Sequence, residues 1–323
     1  MQNINESIVL VGGGGGVYRV AKFLKHIRRN ITTIQTVFDS GGHSGVLRDE
    51  HGVLPPGDIR QAILALSDDS IEPALRKLMM HRFGENGKSS LNKATVGNIL
   101  LTALTEIEGS LPLAIKALSK ICRVRGKVLP VSLDNAELCV ELSDGSLLRG
   151  EGKIDTRSID DDRIIARAYL EPQAHIFVDS YEAIVNADKI VFCPGDIYTS
   201  LVPNLLVKGF EDALANSKAK LIYCVNLMTK KAETHGFSVT QFVEVVRHYS
   251  GRRFDFVIYN DEPIDQEVME EYAGEKCYPV QLTSTDKTLA EKWISANLFD
   301  RVDDGKGLMV RHHERIASII ADL

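Results

Sequence analysis

IVLVGGGGGVYRVAKFLKHIRRNITTIQTVFD, residues 8–39, decides the fold. The apolar run at 8–11 has strand composition and ends abruptly at Gly12, Gly13, Gly14, Gly15 and Gly16. Val17, Val20, Phe23, Leu24 and Ile27 then recur at the 3.6-residue period, which predicts a helix over 17–29. Lys25, His26, Arg28 and Arg29 suit the negative end of that helix. ITTIQTVFD at 31–39 reads as a second strand. Strand, glycine turn, helix and strand make a βαβ unit, and such a unit implies a parallel sheet.

The same rhythm returns late in the chain. Strands are expected at 188–193, 219–227 and 254–261, with helices at 202–216 and 238–249 between them and a last helix over 314–323. The middle has another character. It reads as helices at 72–83, 93–107 and 112–124, with a polar loop at 84–90, followed by short strands within 127–170. Asp144-Gly145 there signals a hairpin. The expected class is therefore α/β: one domain over 1–323 with a Rossmann-like, mainly parallel sheet and helices on both faces. Its core covers about 1–70 and 180–323, and an inserted helical and β subdomain covers about 70–180.

Composition narrows the partners. With 38 Lys and Arg against 44 Asp and Glu, the net charge is −6. That balance does not suit general nucleic-acid or anionic-membrane binding, so neither is expected as a partner. The apolar run at 8–11 is too short for a signal peptide or a span. Five cysteines without a CxxC pair read as reduced thiols, and a cytoplasmic location is expected. A homo-oligomer stays open.

Five segments carry candidate chemistry. The glycines at 12–16 let the backbone turn sharply and approach a phosphate at a helix N-terminus; the GxGxxG spacing is missing, and a purely structural tight turn is the alternative, but the place in a βαβ unit favours ligand binding. In DSGGHSGVLRDE (39–50), Asp39 stands at the expected carboxyl edge, Ser40, Gly41, Gly42 and Ser44 form a polar loop, and Arg48 can meet a phosphate. In LPPGDIR (54–60), Asp58 and Arg60 either face the same cleft or serve a helix start. In FCPGDIYTSLVPNLL (192–206), Pro194, Gly195, Asp196, Tyr198, Thr199, Ser200 and Asn204 gather where a strand enters a helix, with Thr199 or Ser200 as the alternative N-cap. Asn226 and Glu233 in NLMTKKAETHG (226–236), and the basic patch at Arg311, complete the set. Zinc-binding spacing, HExxH, GxSxG and a Walker A sequence are all missing. The GKS at 87–89 lacks the rest of a P-loop.

At these segments the chain resembles the CofD/YvcK-like family, on its gluconeogenesis-factor branch. GGHSGVLRDEHGVLPPGDIR and PGDIYTSLVPNLLV carry the resemblance most specifically. The resemblance implies binding of a nucleotide sugar such as UDP-N-acetylglucosamine and a regulatory role in carbon metabolism, cell shape and wall synthesis. It also implies Asp39, Arg60, Asn98, Tyr198, Thr199, Ser200, Asn204 and Glu233 as matching site positions. The chain departs from the family pattern at Gly15 (Thr in the family's GGGTG), Ser40 (Asp), His43 (Ser), Ala94 (His) and Asp196 (Ser), and at Lys230-Lys231 where the family reads Gln-Pro. The alternative function is transfer of a phospholactyl-like group from a nucleotide diphosphate, as in deazaflavin coenzyme synthesis. Mg²⁺ would then be a cofactor, with Asp39 and Asp58 as its candidate ligands. An NAD oxidoreductase fits least.

Overall fold

The computed structural model describes residues 4–71, 73–84, 91–303 and 308–323. Residues 85–90 of the expected polar loop, with the GKS at 87–89, lie outside the described residues. The main sheet has seven strands in the order β10-β9-β8-β7-β1-β2-β3, all parallel. They are β1 (Ser7–Gly12), β2 (Asn30–Gln35), β3 (Lys127–Pro130), β7 (Lys189–Phe192), β8 (Lys220–Cys224), β9 (Phe254–Asn260) and β10 (Ala290–Ala296). The run that defines β1 is apolar throughout because the strand is central, with Ile8, Val9, Leu10 and Val11 fully buried. A three-stranded antiparallel sheet orders β5 (Leu147–Arg149), β4 (Glu137–Leu142) and β6 (Ile165–Glu171), and β11 (Phe299–Asp303) pairs with β12 (Leu308–His312).

Helices flank the main sheet. The first seven are α1 (Gly14–Leu24), α2 (Gly42–His51), α3 (Gly57–Leu66), α4 (Pro73–Met80), α5 (Val96–Glu108), α6 (Leu111–Ile121) and α7 (Glu151–Asp155). The α/β class with a parallel Rossmann-like sheet is thus the observed one. The hairpin at Asp144-Gly145 joins β4 and β5, with Gly145 at φ +81°.

Three details differ from the sequence reading. The first helix stops at Leu24 rather than 29. Lys25 turns inward, donating to the Ser67 carbonyl at 2.6 Å and pairing with Asp69 at 2.9 Å, while Arg28 reaches the Ala321 carbonyl. The helix expected over 202–216 is two helices, Val202–Leu205 and Phe210–Asn216, because Gly209 takes φ +95° between them. A π-helical turn, Ile197–Leu201, precedes them. Finally, β3 lies inside the stretch read as an insertion, yet it pairs with β2 in the main sheet.

The strand order places the site. The chain leaves β1 toward β2 and β3 on one side and later fills β7 to β10 on the other, so direction reverses between β1 and β7. Open α/β sheets bind ligands at that crevice, outside the strand carboxyl ends. Gly12, which ends β1, and Pro194-Gly195, which follow β7, both lie there.

Candidate functional site

The glycine loop is shaped by what surrounds it. Gly12 and Gly14 take φ of +152° and +58°, which side chains disfavour. A Cβ on Gly16 would stand 1.5 Å from the Pro194 carbonyl oxygen, so the two strand-end loops touch through glycine. A Cβ on Gly13 would stand 2.3 Å from the Asp58 carboxylate. That carboxylate accepts the Gly14 backbone N–H, so α3 closes the loop from one side. Burial first, and Asp39 second, push the Asp58 pKa up to about 7.

Beside this loop opens a cleft of about 760 Å³. Gly15, Gly16, Arg19 and Lys22 line it from successive turns of α1, and Arg60 and Gln61 face it from α3. Asn226, Met228, Tyr272 and Arg311 form the opposite wall. Among the described residues no carboxylate stands within ion-pair distance of Arg19, Lys22 or Arg311. Burial, then the nearby Arg311 charge, lowers the Arg19 pKa. Asp300 acts on Arg19 only from beyond ion-pair distance, so two guanidiniums beside one helix N-terminus, with no salt bridge among the described residues, make an anion site. His312 is held neutral beside them: burial lowers its pKa to about 4, and Nε2 lies 3.3 Å from the Val225 carbonyl oxygen.

A second cleft, about 800 Å³, adjoins the first. Arg60 lines the first cleft and donates from Nε at 2.7 Å to Asn98, which lines the second. Burial, then Arg82, lowers the Arg60 pKa to about 10. Asp39, Ser40, Gly41, Gly42, Ser44 and Arg48 form one wall of the second cleft, and Gly150 to Thr156 form the other. Asp39 accepts the Gly41 N–H at 2.7 Å, and the Ser40 hydroxyl accepts the Gly152 N–H at 3.1 Å. Arg48 is already engaged, with Asp49 at 2.8 Å and Glu137 at 3.7 Å. Glu151 stands against Asp39, and its Oε2 has no donor among the described residues. Burial first, then Asp39 and Asp155, raise its pKa, as fits a protonated Glu151 donating to the Asp39 carboxylate.

The remaining sequence candidates stand behind the clefts and hold them. Glu233 is buried and accepts from the Tyr198 N–H at 2.7 Å, the Thr199 N–H at 3.3 Å and the Thr199 hydroxyl at 2.7 Å. It thereby satisfies the free N–H groups of the π-helical turn, so neither Thr199 nor Ser200 is the N-cap. Asn204 is fully buried and donates to the carbonyls of Ser200 at 2.9 Å and Gly12 at 3.3 Å. Asn226 brackets Gly195, accepting its N–H at 3.3 Å and donating to its carbonyl at 2.8 Å. Asp196 pairs with Lys230 at 2.6 Å. Of the two early metal candidates, Asp39 and Asp58 are close enough to raise the latter's pKa.

Residues 8–299 match the profile of the family described as 2-phospho-L-lactate transferase CofD. The chain belongs to this family. It is 35% identical to the gluconeogenesis factor of Bacillus subtilis over 98% of this chain and 97% of that one. It is 39% identical to the gluconeogenesis factor of Halalkalibacterium halodurans over 85% and 84%. The crystal structure of protein BH3568 from Bacillus halodurans superposes with a TM-score of 0.89 at 36% identity, covering 98% of this chain and 99% of the other. No helix among the described residues is long and apolar enough to cross a membrane.

In this CofD-family chain the sequence reading named the loops and missed the helix face behind them. Arg19 and Lys22 follow Gly15 at helical spacing, so α1 places all three in the same cleft. That spacing was the available signal. Glu151 had none, because its neighbour Ser40 is more than a hundred residues away and α7 is a five-residue helix.

Proposed function

We propose that this chain binds a nucleotide sugar, of the UDP-sugar kind, and acts as a regulatory protein of the gluconeogenesis-factor type in carbon metabolism, cell shape and wall synthesis. One observation carries the reading: Arg19 and Arg311 face Gly15 and Gly16 with no carboxylate paired to them among the described residues. A diphosphate completes that arrangement, since it brings the missing negative charge to a helix N-terminus. Tyr18, Tyr272 and Met228 offer apolar surface for a base in the same cleft. The sugar then lies toward the second cleft, whose mixed acids and bases suit a neutral ligand rich in hydroxyls. Calorimetric titration with UDP-N-acetylglucosamine, UDP-glucose, GDP and NAD tests the reading. UDP-sugars should bind more tightly than NAD, and the reverse order overturns it.

The acid cluster favours a second reading, phospholactate transfer from a nucleotide diphosphate. Asp39 and Asp58 crowd one another, and Glu151 stands against Asp39, a concentration of acid whose charge a divalent cation would offset. Asp39 and Asp58 would hold Mg²⁺, which supplies positive charge to a diphosphate. Turnover that requires Mg²⁺ and disappears in Asp39→Asn would establish this reading over the first.

A further inference from the structure

The second cleft owes one wall to a segment with almost no hydrophobic anchorage. From Gly150 to Asp162 the only buried apolar side chain among the described residues is that of Ile154, with the Arg157 side chain buried beside it through polar contacts. Yet the segment lies flat on the core, because charge fastens it at successive points. Asp155 pairs with Lys230, Asp162 pairs with Lys231, and Asp160 pairs with Lys276 at 3.1 Å. The Lys276 ammonium also donates to the Ile159 carbonyl at 3.2 Å, and Arg157 donates to the carbonyl of Ala232. An acidic strip therefore runs along a basic one.

Lys230 holds the central position. Its ammonium meets Asp155 of the strip, Asp196 at 2.6 Å from the turn after β7, and Glu233 at 3.5 Å one helical turn ahead. Carboxylate oxygens of these three acids lie within 4.8 Å of one another, a spacing at which they would repel strongly without a cation between them. Burial alone would lower the Lys230 pKa, and the carboxylates of Glu233 and Asp196 with the Asp155 hydrogen bond reverse this and raise it. The Lys230 charge also opposes the upward push on Glu151, so its influence extends to the acid beside Asp39.

We propose that residues 150–162 are a strap latched over the second cleft by charge, and that Lys230 is the positioning residue that closes the latch. The strap carries Glu151 to Asp39 and Gly152 to Ser40, so its release opens the second cleft and withdraws Glu151 together. The first cleft and the glycine loop do not depend on it. The proposal stands independently of which ligand the site takes.

Hydrogen exchange on the full chain tests it. The Gly152 amide reports closure directly, since it donates across the cleft to Ser40, while the amides of Ile154 and Thr156 donate to Gly150 and Gly152 within the strap and report whether its short helix holds once it is released. Lys230→Met keeps the length of the side chain and removes the charge. It should speed exchange at those three amides by roughly tenfold or more while leaving β1 and β8 unchanged. Asp155→Asn, made on the other side of the contact, should do the same, and the double variant should add little beyond either single one. Raising NaCl from about 0.05 M to about 0.5 M should speed the same amides in the wild type and not in Lys230→Met. Unchanged strap exchange in both single variants, or equal acceleration across strap and core, would overturn the latch.

Discussion

The Asp58 carboxylate fills the space that a side chain on Gly13 would need: a Cβ there would lie 2.3 Å from Oδ2. The loop that receives the ligand and the helix that carries the acid are therefore packed as one piece. Gly13→Ala should force Asp58 away from the Gly14 N–H and cost about 1–3 kcal/mol, the usual range for overpacking. Gly16→Ala should cost as much or more against the Pro194 carbonyl. Gly15 has no heavy atom within 4 Å of its would-be Cβ and sits in helix, so Gly15→Ala should raise ligand-free stability by about 0.5–1 kcal/mol. Urea unfolding of the three variants ranks them, and a Gly15→Ala loss as large as that of Gly13→Ala would contradict the packing.

Asp58 also gives stability a pH dependence. Its pKa lies at about 7 in the folded protein, above the ordinary carboxylate value. An acid raised on folding binds more protons in the native state, so its contribution is fully present below the unfolded pKa and is lost as pH rises through about 7. Asp58→Asn keeps an oxygen for the Gly14 N–H and removes the titration. The variant should match the wild type near pH 4 and exceed it in stability near pH 8, as read by denaturant unfolding at several pH values. A difference that stays constant across that window would refute the assignment.

Much of this arrangement was legible in residues 8–39, because fully apolar central strands and a glycine turn have few other uses. The neighbouring strand ends at Gly12 and Pro194-Gly195 followed from the same logic. Contacts between side chains were not legible. Thr199 and Glu233 looked like two independent ligands for a nucleotide, and they are each other's partners. Asn226 and Asn204 likewise spend their amides on Gly195, Gly12 and Ser200. Local pattern reports burial and period, whereas such pairings depend on how distant loops meet at the sheet edge.

Thr199→Val should therefore act on stability more than on affinity. It removes the hydroxyl that donates to the buried Glu233 carboxylate, a loss of about 1.5–3 kcal/mol for a hydrogen bond to a charged group. Thermal unfolding and nucleotide titration on the same samples separate the two effects. A large fall in affinity with unchanged melting would return Thr199 to the ligand.

Arg19 decides the central claim. If Arg19 and Arg311 wait for a diphosphate, Arg19→Ala relieves a like-charge contact and should leave the melting temperature unchanged or slightly higher. The measurement is calorimetric titration of UDP-N-acetylglucosamine into the wild type and Arg19→Ala at fixed ionic strength. The account predicts measurable binding to the wild type and a loss on the order of 10- to 100-fold in the variant, the worth of one charge-assisted phosphate contact. Equal affinity in the two proteins, or no binding to the wild type, would contradict it.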